Sequence, residues 1–254
     1  MINFFRKIRQ NLLSEGKTGK PALSAGRYLK YAIGEIILVV IGILIALQIN
    51  NWNEEQKKEI KKQDYYVQLL DDLNSDIIST EYTIEEFSRH QKEYSDYLSL
   101  YDHEGLTPAT AYEQISRLSL ISTPPIFNTN TIESLQSSGD IGLIPSLIRN
   151  KLMNLRSIQN LTIQRFDATD NGQRGITQKL SSLLGATTLP KRLDNQPKMK
   201  EFLHIDENLR ELILVYEGIH RWKNVSQLET IDRLETMQKE IDTIIDLISK
   251  EIKE

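Results

Sequence analysis

Few residues in this sequence have the type and spacing that a chemical function requires. The clearest candidate is a glutamate at the edge of an apolar stretch. Glu35 precedes a run between Ile36 and Leu47 that contains no charged residue. A carboxylate within a membrane-spanning helix costs free energy, so it is a candidate for proton transfer or for a hydrogen bond between helices. It lies about one helical turn after Tyr31, where it can also reach interfacial water or pair with Lys30. Both interpretations of Glu35 stay open.

The remaining titratable residues form no catalytic or metal-binding pattern. The four histidines are scattered, and no two of them have the spacing of a helical metal-binding pair. Glu86 and His90 are i, i+4 neighbours, a spacing that is commoner in exposed pairs than in metal sites. A set of six acidic residues indicates a solvated helix face. The histidines are His90, His103, His204 and His220, and the acidic residues are Asp71, Asp72, Asp76, Glu81, Glu85 and Glu86.

The segment Ser137-Ser138-Gly139-Asp140 has the composition of a phosphate-binding turn but not its surroundings. No predicted strand precedes it, and no glycine-rich loop encloses it. We predict that it joins two helices, with Gly139 in the left-handed conformation and Asp140 as a cap. The chain has no cysteine, so no thiolate can attack a substrate or bind metal. We therefore expect no enzymatic activity and no cofactor.

The organisation of the chain follows from one apolar stretch. Residues 31–52 are long and apolar enough for one transmembrane helix. This predicts a basic cytoplasmic tail over residues 1–30 and a periplasmic domain over residues 53–254. Seven basic residues and one acidic residue precede the stretch, and basic flanks remain in the cytoplasm. Tyr28, Tyr31 and Trp52 are the predicted anchors at the membrane interfaces.

The alternative to a signal anchor is a cleaved signal peptide. Apolar regions of signal peptides are shorter and end at a small-x-small cleavage site. Here the apolar run ends in Gln48-Ile49-Asn50-Asn51-Trp52, which offers no such site. A signal anchor is therefore the preferred interpretation. In the tail, Phe5, Ile8 and Leu12 share one face of a possible interfacial helix, although a basic tail without structure is an equal alternative.

The sequence after the apolar stretch predicts an all-α domain. Apolar residues keep a heptad register from Tyr66 to Tyr101 and again from Ile231 to Ile252, which is typical of long helices packed along a seam. Helices are also predicted over residues 131–137, from about Ile144, and over residues 198–216, and Thr107 is a predicted cap. The fold class is thus one N-terminal transmembrane helix followed by a helical bundle with long antiparallel or coiled-coil arms.

Small residues within the apolar stretch predict association inside the membrane. Gly42 and Ala46 have the small-xxx-small spacing that lets two helices approach closely. We predict a homo-oligomer, or contact with another membrane protein, through the face that carries this pair. The acidic outer domain argues against nucleic acid, and no small-molecule substrate is indicated. The predicted contact residues are Glu35, Leu38, Gly42, Ile45, Ala46 and Ile49.

Two stretches of this sequence resemble a family of uncharacterised single-span proteins of Bacteroidetes such as flavobacteria. They read KYAIGEIILVVIGILIALQINNWNEE over residues 30–55 and TIESLQSSGDIGLI over residues 131–144. The resemblance implies an inner-membrane protein with a helical periplasmic domain. It implies no activity, and it carries no catalytic residue onto this chain.

These observations favour a non-catalytic membrane protein that associates with itself or scaffolds a membrane complex. One alternative is an accessory subunit of an ion-coupled, proton-coupled or transport complex, in which Glu35 would be essential. The other is a periplasmic sensor domain, although a cytoplasmic part of about 30 residues is too short for an output domain.

Overall fold

A computed structural model describes residues 24–185, 188–204 and 207–253. Within these ranges the chain is helical and contains no strand, which confirms the all-α class. The predicted interfacial helix over residues 1–13 lies outside the described residues. The α-helices are α1 (Ser24–Leu98), α2 (Pro108–Arg117), α3 (Asn130–Ser137), α4 (Ser146–Leu184), α5 (Leu189–Leu193), α6 (Pro197–Phe202) and α7 (Leu209–Lys253), and two 3₁₀ turns span Ser99–Asp102 and Asp140–Leu143.

The chain divides into two compact units, Met1–Ile60 and Lys61–Glu254. The described part of the first unit is the beginning of α1. Its large apolar side chains between Ile36 and Ile49 are exposed by 47% to 62%. This helix is long and apolar enough to cross a membrane, and none of its most apolar window is buried.

The second unit begins with the part of α1 that follows Ile60, and the predicted seam of this part faces the interior of the unit. No proline or glycine interrupts the sequence between Trp52 and Tyr101, so the helix continues to Leu98. The described neighbours that cover the seam belong to the same chain. Helices of this chain thus cover the seam over this part of α1. Its fully or almost fully buried positions are Tyr66, Leu73, Thr80, Phe87 and Tyr94.

Two apolar clusters stabilise the second unit from either end. In the first, Tyr66 of α1 packs with residues of α3, α4 and α7 such as Leu135, Leu152 and Ile244. In the second, Tyr97 and its neighbours pack with α2 and with the facing ends of α4 and α7. Between the clusters the rings of Phe87 and Phe166 stack with centroids 6.1 Å apart. Burial of these faces accounts for most of the stability of such helices.

The connections between the helices agree with the sequence in some places and differ in others. Thr107 caps α2, as predicted, because its side chain accepts a hydrogen bond from the Thr110 N–H at 3.2 Å. The predicted helix over residues 198–216 is divided, since α6 ends at Phe202 and α7 begins at Leu209. His204 lies between them with φ of 52°, a left-handed conformation that no α-helix accommodates.

Candidate functional site

The predicted association face lies in the exposed part of α1. Gly42 and Ala46 are exposed, and a Cβ added at Gly42 would meet no atom within 4 Å. Glu35 is exposed on the same helix. The face is therefore open to a partner, and association through it stays a prediction. Its other members Leu38, Ile45 and Ile49 and the predicted anchors Tyr31 and Trp52 are all more than half exposed, whereas the side chain of Tyr28 lies outside the described residues.

The carboxylate of Asp140 binds the turn after α3 to α1. Gly139 has φ of 78°, which confirms the predicted left-handed residue. Asp140 is not a helix cap, and that prediction is wrong. Its carboxylate instead accepts a hydrogen bond from the Tyr65 hydroxyl at 2.8 Å and forms an ion pair with Lys61 at 2.7 Å. The hydrogen bond from Lys61, followed by those of Ser138 and Tyr65, lowers the pKa of Asp140 to about 2.

We expect Gly139→Ala to destabilise the full-length protein by about 1–2 kcal/mol, because a side chain is strained at positive φ. Gly142 is the matched control, since it lies three residues later and has no positive φ. An added Cβ meets no atom within 4 Å at either position, so backbone conformation is the difference between them. Urea unfolding in detergent micelles measures both variants. Equal unfolding midpoints would contradict the left-handed turn.

Residues 118–129, which we call the strap, connect α2 to α3 without regular secondary structure. Polar side chains from α1, α4 and α7 bind this segment. A non-helical segment packed against helices needs partners for its backbone groups, and several of these partners are buried polar residues. Four hydrogen bonds run from a helix side chain to the strap: Lys223 Nζ to Ser119 O (2.7 Å), Gln173 Nε2 to Leu120 O (2.8 Å), Gln227 Nε2 to Ser122 Oγ (3.2 Å) and Ser79 Oγ to Ile126 O (2.8 Å). In a fifth, the strap donates, from Asn128 N–H to Asp76 Oδ1 (2.7 Å).

Asp76 departs most clearly from the predicted solvated acidic face, because it is only 1% exposed. Its Oδ2 accepts a hydrogen bond from Gln159 Nε2 at 2.7 Å. Burial raises the pKa of Asp76 to about 6, although the hydrogen bonds from Asn128 and Gln159 oppose that shift. Among the described residues, the buried Oε1 of Gln159 has no hydrogen-bond partner. The charged form of the Asp76 carboxylate is therefore less stable at this site than it is in water.

We expect Asp76→Asn to remove a pH dependence of stability. The folded-state pKa of Asp76 is about 6 and its ordinary value is 3.8, so the folded state binds the proton more tightly. The wild-type protein should therefore lose stability as the pH rises from about 4 to about 6, and remain at the lower level above that. The asparagine cannot ionise, and its amide can donate to Gln159 Oε1.

The measurement is urea unfolding of the full-length protein at pH 4.5 and at pH 7.5, as working values around this pKa. Relative to wild type, the asparagine variant should gain about 1–2 kcal/mol between the lower and the higher pH. Asp71→Asn is the control, because Asp71 lies five residues earlier and is exposed. Parallel pH profiles for wild type and Asp76→Asn would show that Asp76 titrates normally.

Two histidines that are far apart in sequence line a small polar depression between α1 and α7. His90 pairs with Glu86, with Nε2 4.0 Å from Oε1, but it is buried, so the predicted exposure of this pair is wrong. Its Nδ1 lies 3.2 Å from Gln227 Nε2. His220 packs against the ring of Tyr94 with centroids 5.8 Å apart. Its buried Nε2 has no hydrogen-bond partner in the part of the chain that the structure describes.

In this depression an uncharged histidine, His220, lies near Lys223. Burial, with a smaller effect of Lys223, lowers the pKa of His220 to about 4. Burial also lowers the pKa of Lys223 to about 8, while Glu86 and Glu93 oppose that shift. Its cavity volume of about 10 Å³ is far below the roughly 300–1,000 Å³ of small-molecule sites. Such a depression can hold ordered water that bridges these groups.

The sequence indicates that both histidines are buried, because each lies at helical spacing from apolar residues. Their wide separation along the chain does not show this. His90 lies three residues after Phe87 and four before Tyr94, both of which are seam positions. His220 lies four residues after Tyr216 and eight after Leu212, so it continues an apolar face at helical spacing. The period therefore places both histidines on inward faces. Within the described ranges, no three His, Asp or Glu side chains come together as a metal site requires.

Comparison with known proteins gives a family but no described activity. No curated protein and no solved structure matches the chain. A family model matches residues 35–164, which is half of the chain. The match includes the exposed apolar part of α1, the strap and the Asp140 turn, and it ends within α4. On this match the chain belongs to a family of unknown function, DUF6090.

Proposed function

We propose that this chain is a non-catalytic, single-pass protein of the bacterial inner membrane that associates with itself or scaffolds a membrane complex. Its N-terminus would lie in the cytoplasm and residues 53–254 in the periplasm. Residues 31–52 would form the signal anchor, and the helical second unit would present surfaces to partners.

The observation that carries this proposal is the contrast between the two units. Every large apolar side chain between Ile36 and Ile49 is about half exposed or more. The second unit, by contrast, buries its apolar residues in two clusters. Soluble monomers rarely expose a continuous apolar surface of this extent. A bilayer about 30 Å thick matches the length of the stretch.

We place self-association in the membrane segment because the seam of α1 in the second unit is already buried against other helices of the chain. Between Tyr66 and Tyr94 the seam faces the chain's own core. Gly42 and Ala46 lie on an open face, and small residues at this spacing favour close helix packing in lipid. This combination supports assembly through the span, with the second unit free for other contacts.

The topology is tested with reporters fused to the C-terminus of the full-length chain. Alkaline phosphatase should be active there, because it matures in an oxidising compartment outside the cytoplasm. Green fluorescent protein exported by the same route should be dark. The reverse pattern would contradict the orientation that the basic flank predicts.

The assembly is tested by the mass of the full-length protein in native nanodiscs. A defined oligomer is expected, and Gly42→Leu with Ala46→Leu should reduce it to the monomer. Val40→Leu is the control, since it enlarges a side chain on another face of the same helix. A wild-type monomer that co-purifies with nothing would contradict the proposal. Co-purification of a multi-span protein, with loss of cellular function in Glu35→Gln, would favour the ion-coupled subunit instead.

A further inference from the structure

The connection between α4 and α7 lies at one end of the second unit. Leu184 at the end of α4 and Leu212 at the beginning of α7 pack with Tyr97 near the end of α1. Tyr65, near the beginning of the unit, belongs instead to the apolar cluster that includes Ile248, close to the end of α7. The short helices α5 and α6 thus occupy the end of the unit that is opposite Lys61. We call residues 189–203, which contain these two helices, the tip.

The tip differs in charge from the rest of the chain. The tip contains four basic and two acidic residues, whereas the chain as a whole has a net charge of −4. Lys191, Arg192 and Lys198 are exposed. The tip thus has a net positive charge on an otherwise acidic protein, which favours contact with an anionic surface.

The tip also presents apolar side chains to solvent. Phe202 is 76% exposed and Met199 is 52% exposed. The two residues are three apart on α6 and therefore share one face of that helix. Leu203, which follows α6, is 37% exposed. Contact with an apolar surface would remove the area of these side chains from water, which is favourable.

We propose that the tip docks onto an anionic lipid surface through Met199 and Phe202, with Lys191, Arg192 and Lys198 contacting the headgroups. Aromatic and aliphatic side chains enter the boundary between headgroups and acyl chains, and flanking basic side chains bind anionic lipid. A second copy of the tip is a poorer match, because two tips would bring like charges together. This inference rests on the proposed function for the membrane anchor, and the experiment separates the two.

The experiment uses the full-length protein in nanodiscs of phosphatidylcholine. The probes are sedimentable vesicles of phosphatidylglycerol with phosphatidylcholine, and vesicles of phosphatidylcholine alone. We expect the nanodiscs to sediment with the anionic vesicles and this binding to weaken as salt is added. Phe202→Ser with Met199→Ser should weaken it about tenfold or more. Lys191→Gln with Arg192→Gln and Lys198→Gln should weaken it about a hundredfold.

Ile121→Ser is the matched control, because Ile121 is 73% exposed on the strap. It should leave vesicle binding unchanged, and unfolding by circular dichroism should be the same for all the variants. Equal loss in the control, or equal binding to both kinds of vesicle, would overturn the proposal. A doubled particle mass without vesicles that Phe202→Ser abolishes would instead identify a second copy as the occupant. Failure of the chain to enter nanodiscs would contradict the membrane anchor, whereas entry without vesicle binding would contradict only the tip.

Discussion

Two arginines in the apolar part of α1, Val40→Arg with Leu44→Arg, are expected to release the full-length protein from the membrane fraction. Both positions are exposed, and they lie on one helical face near the middle of residues 31–52. Each arginine at the centre of a span costs about 2.5–3.5 kcal/mol. The pair therefore costs about 5–7 kcal/mol, which exceeds what insertion of one span can tolerate. Cell fractionation followed by an alkaline carbonate wash measures the result.

The control places two arginines on the same helix within the second unit. Val67 and Ile78 are as exposed as the two substituted residues, so Val67→Arg with Ile78→Arg should leave the protein in the membrane pellet. If Val40→Arg with Leu44→Arg also stays there after the wash, residues 31–52 are not the anchor. The first 23 residues or a partner would then hold the chain.

The sequence predicted the parts of the fold that depend on local periodicity. A heptad register fixes which face of one helix is apolar, and positions such as Tyr66 and Leu73 are indeed buried. Local turn chemistry was equally readable at Gly139, because a left-handed residue after a helix favours glycine. These features are decided by residues within a few positions of one another.

The polar interior was not predicted, because it depends on which helices lie side by side. His90 and Gln227 are 137 residues apart and meet only in the folded bundle. Asp76 lies among other acidic residues, so composition suggested a solvated face. However, it is also three residues after the buried Leu73 and four before the buried Thr80. Its interior position followed from the period, but its partner Asn128 on the strap did not.

Phe87→Ala is expected to cause the largest loss of stability among substitutions in the second unit. Phe87 is fully buried, and its ring stacks on Phe166 of α4 with centroids 6.1 Å apart. Truncation of a buried phenylalanine leaves a cavity and costs about 3–5 kcal/mol. That is a large part of the roughly 5–15 kcal/mol that stabilises a typical domain. Urea unfolding of the full-length protein in micelles, followed by circular dichroism, measures the change.

The control for Phe87→Ala is Tyr82→Ala, because Tyr82 lies on the same helix and is 66% exposed. Its effect should be within about 0.5 kcal/mol. The comparison also tests where the heptad seam of α1 closes. If the seam closes within the chain, Phe87→Ala should destabilise the monomer to the same extent at every protein concentration. A loss that decreases at high protein concentration would instead place the seam between chains, because association then contributes to stability.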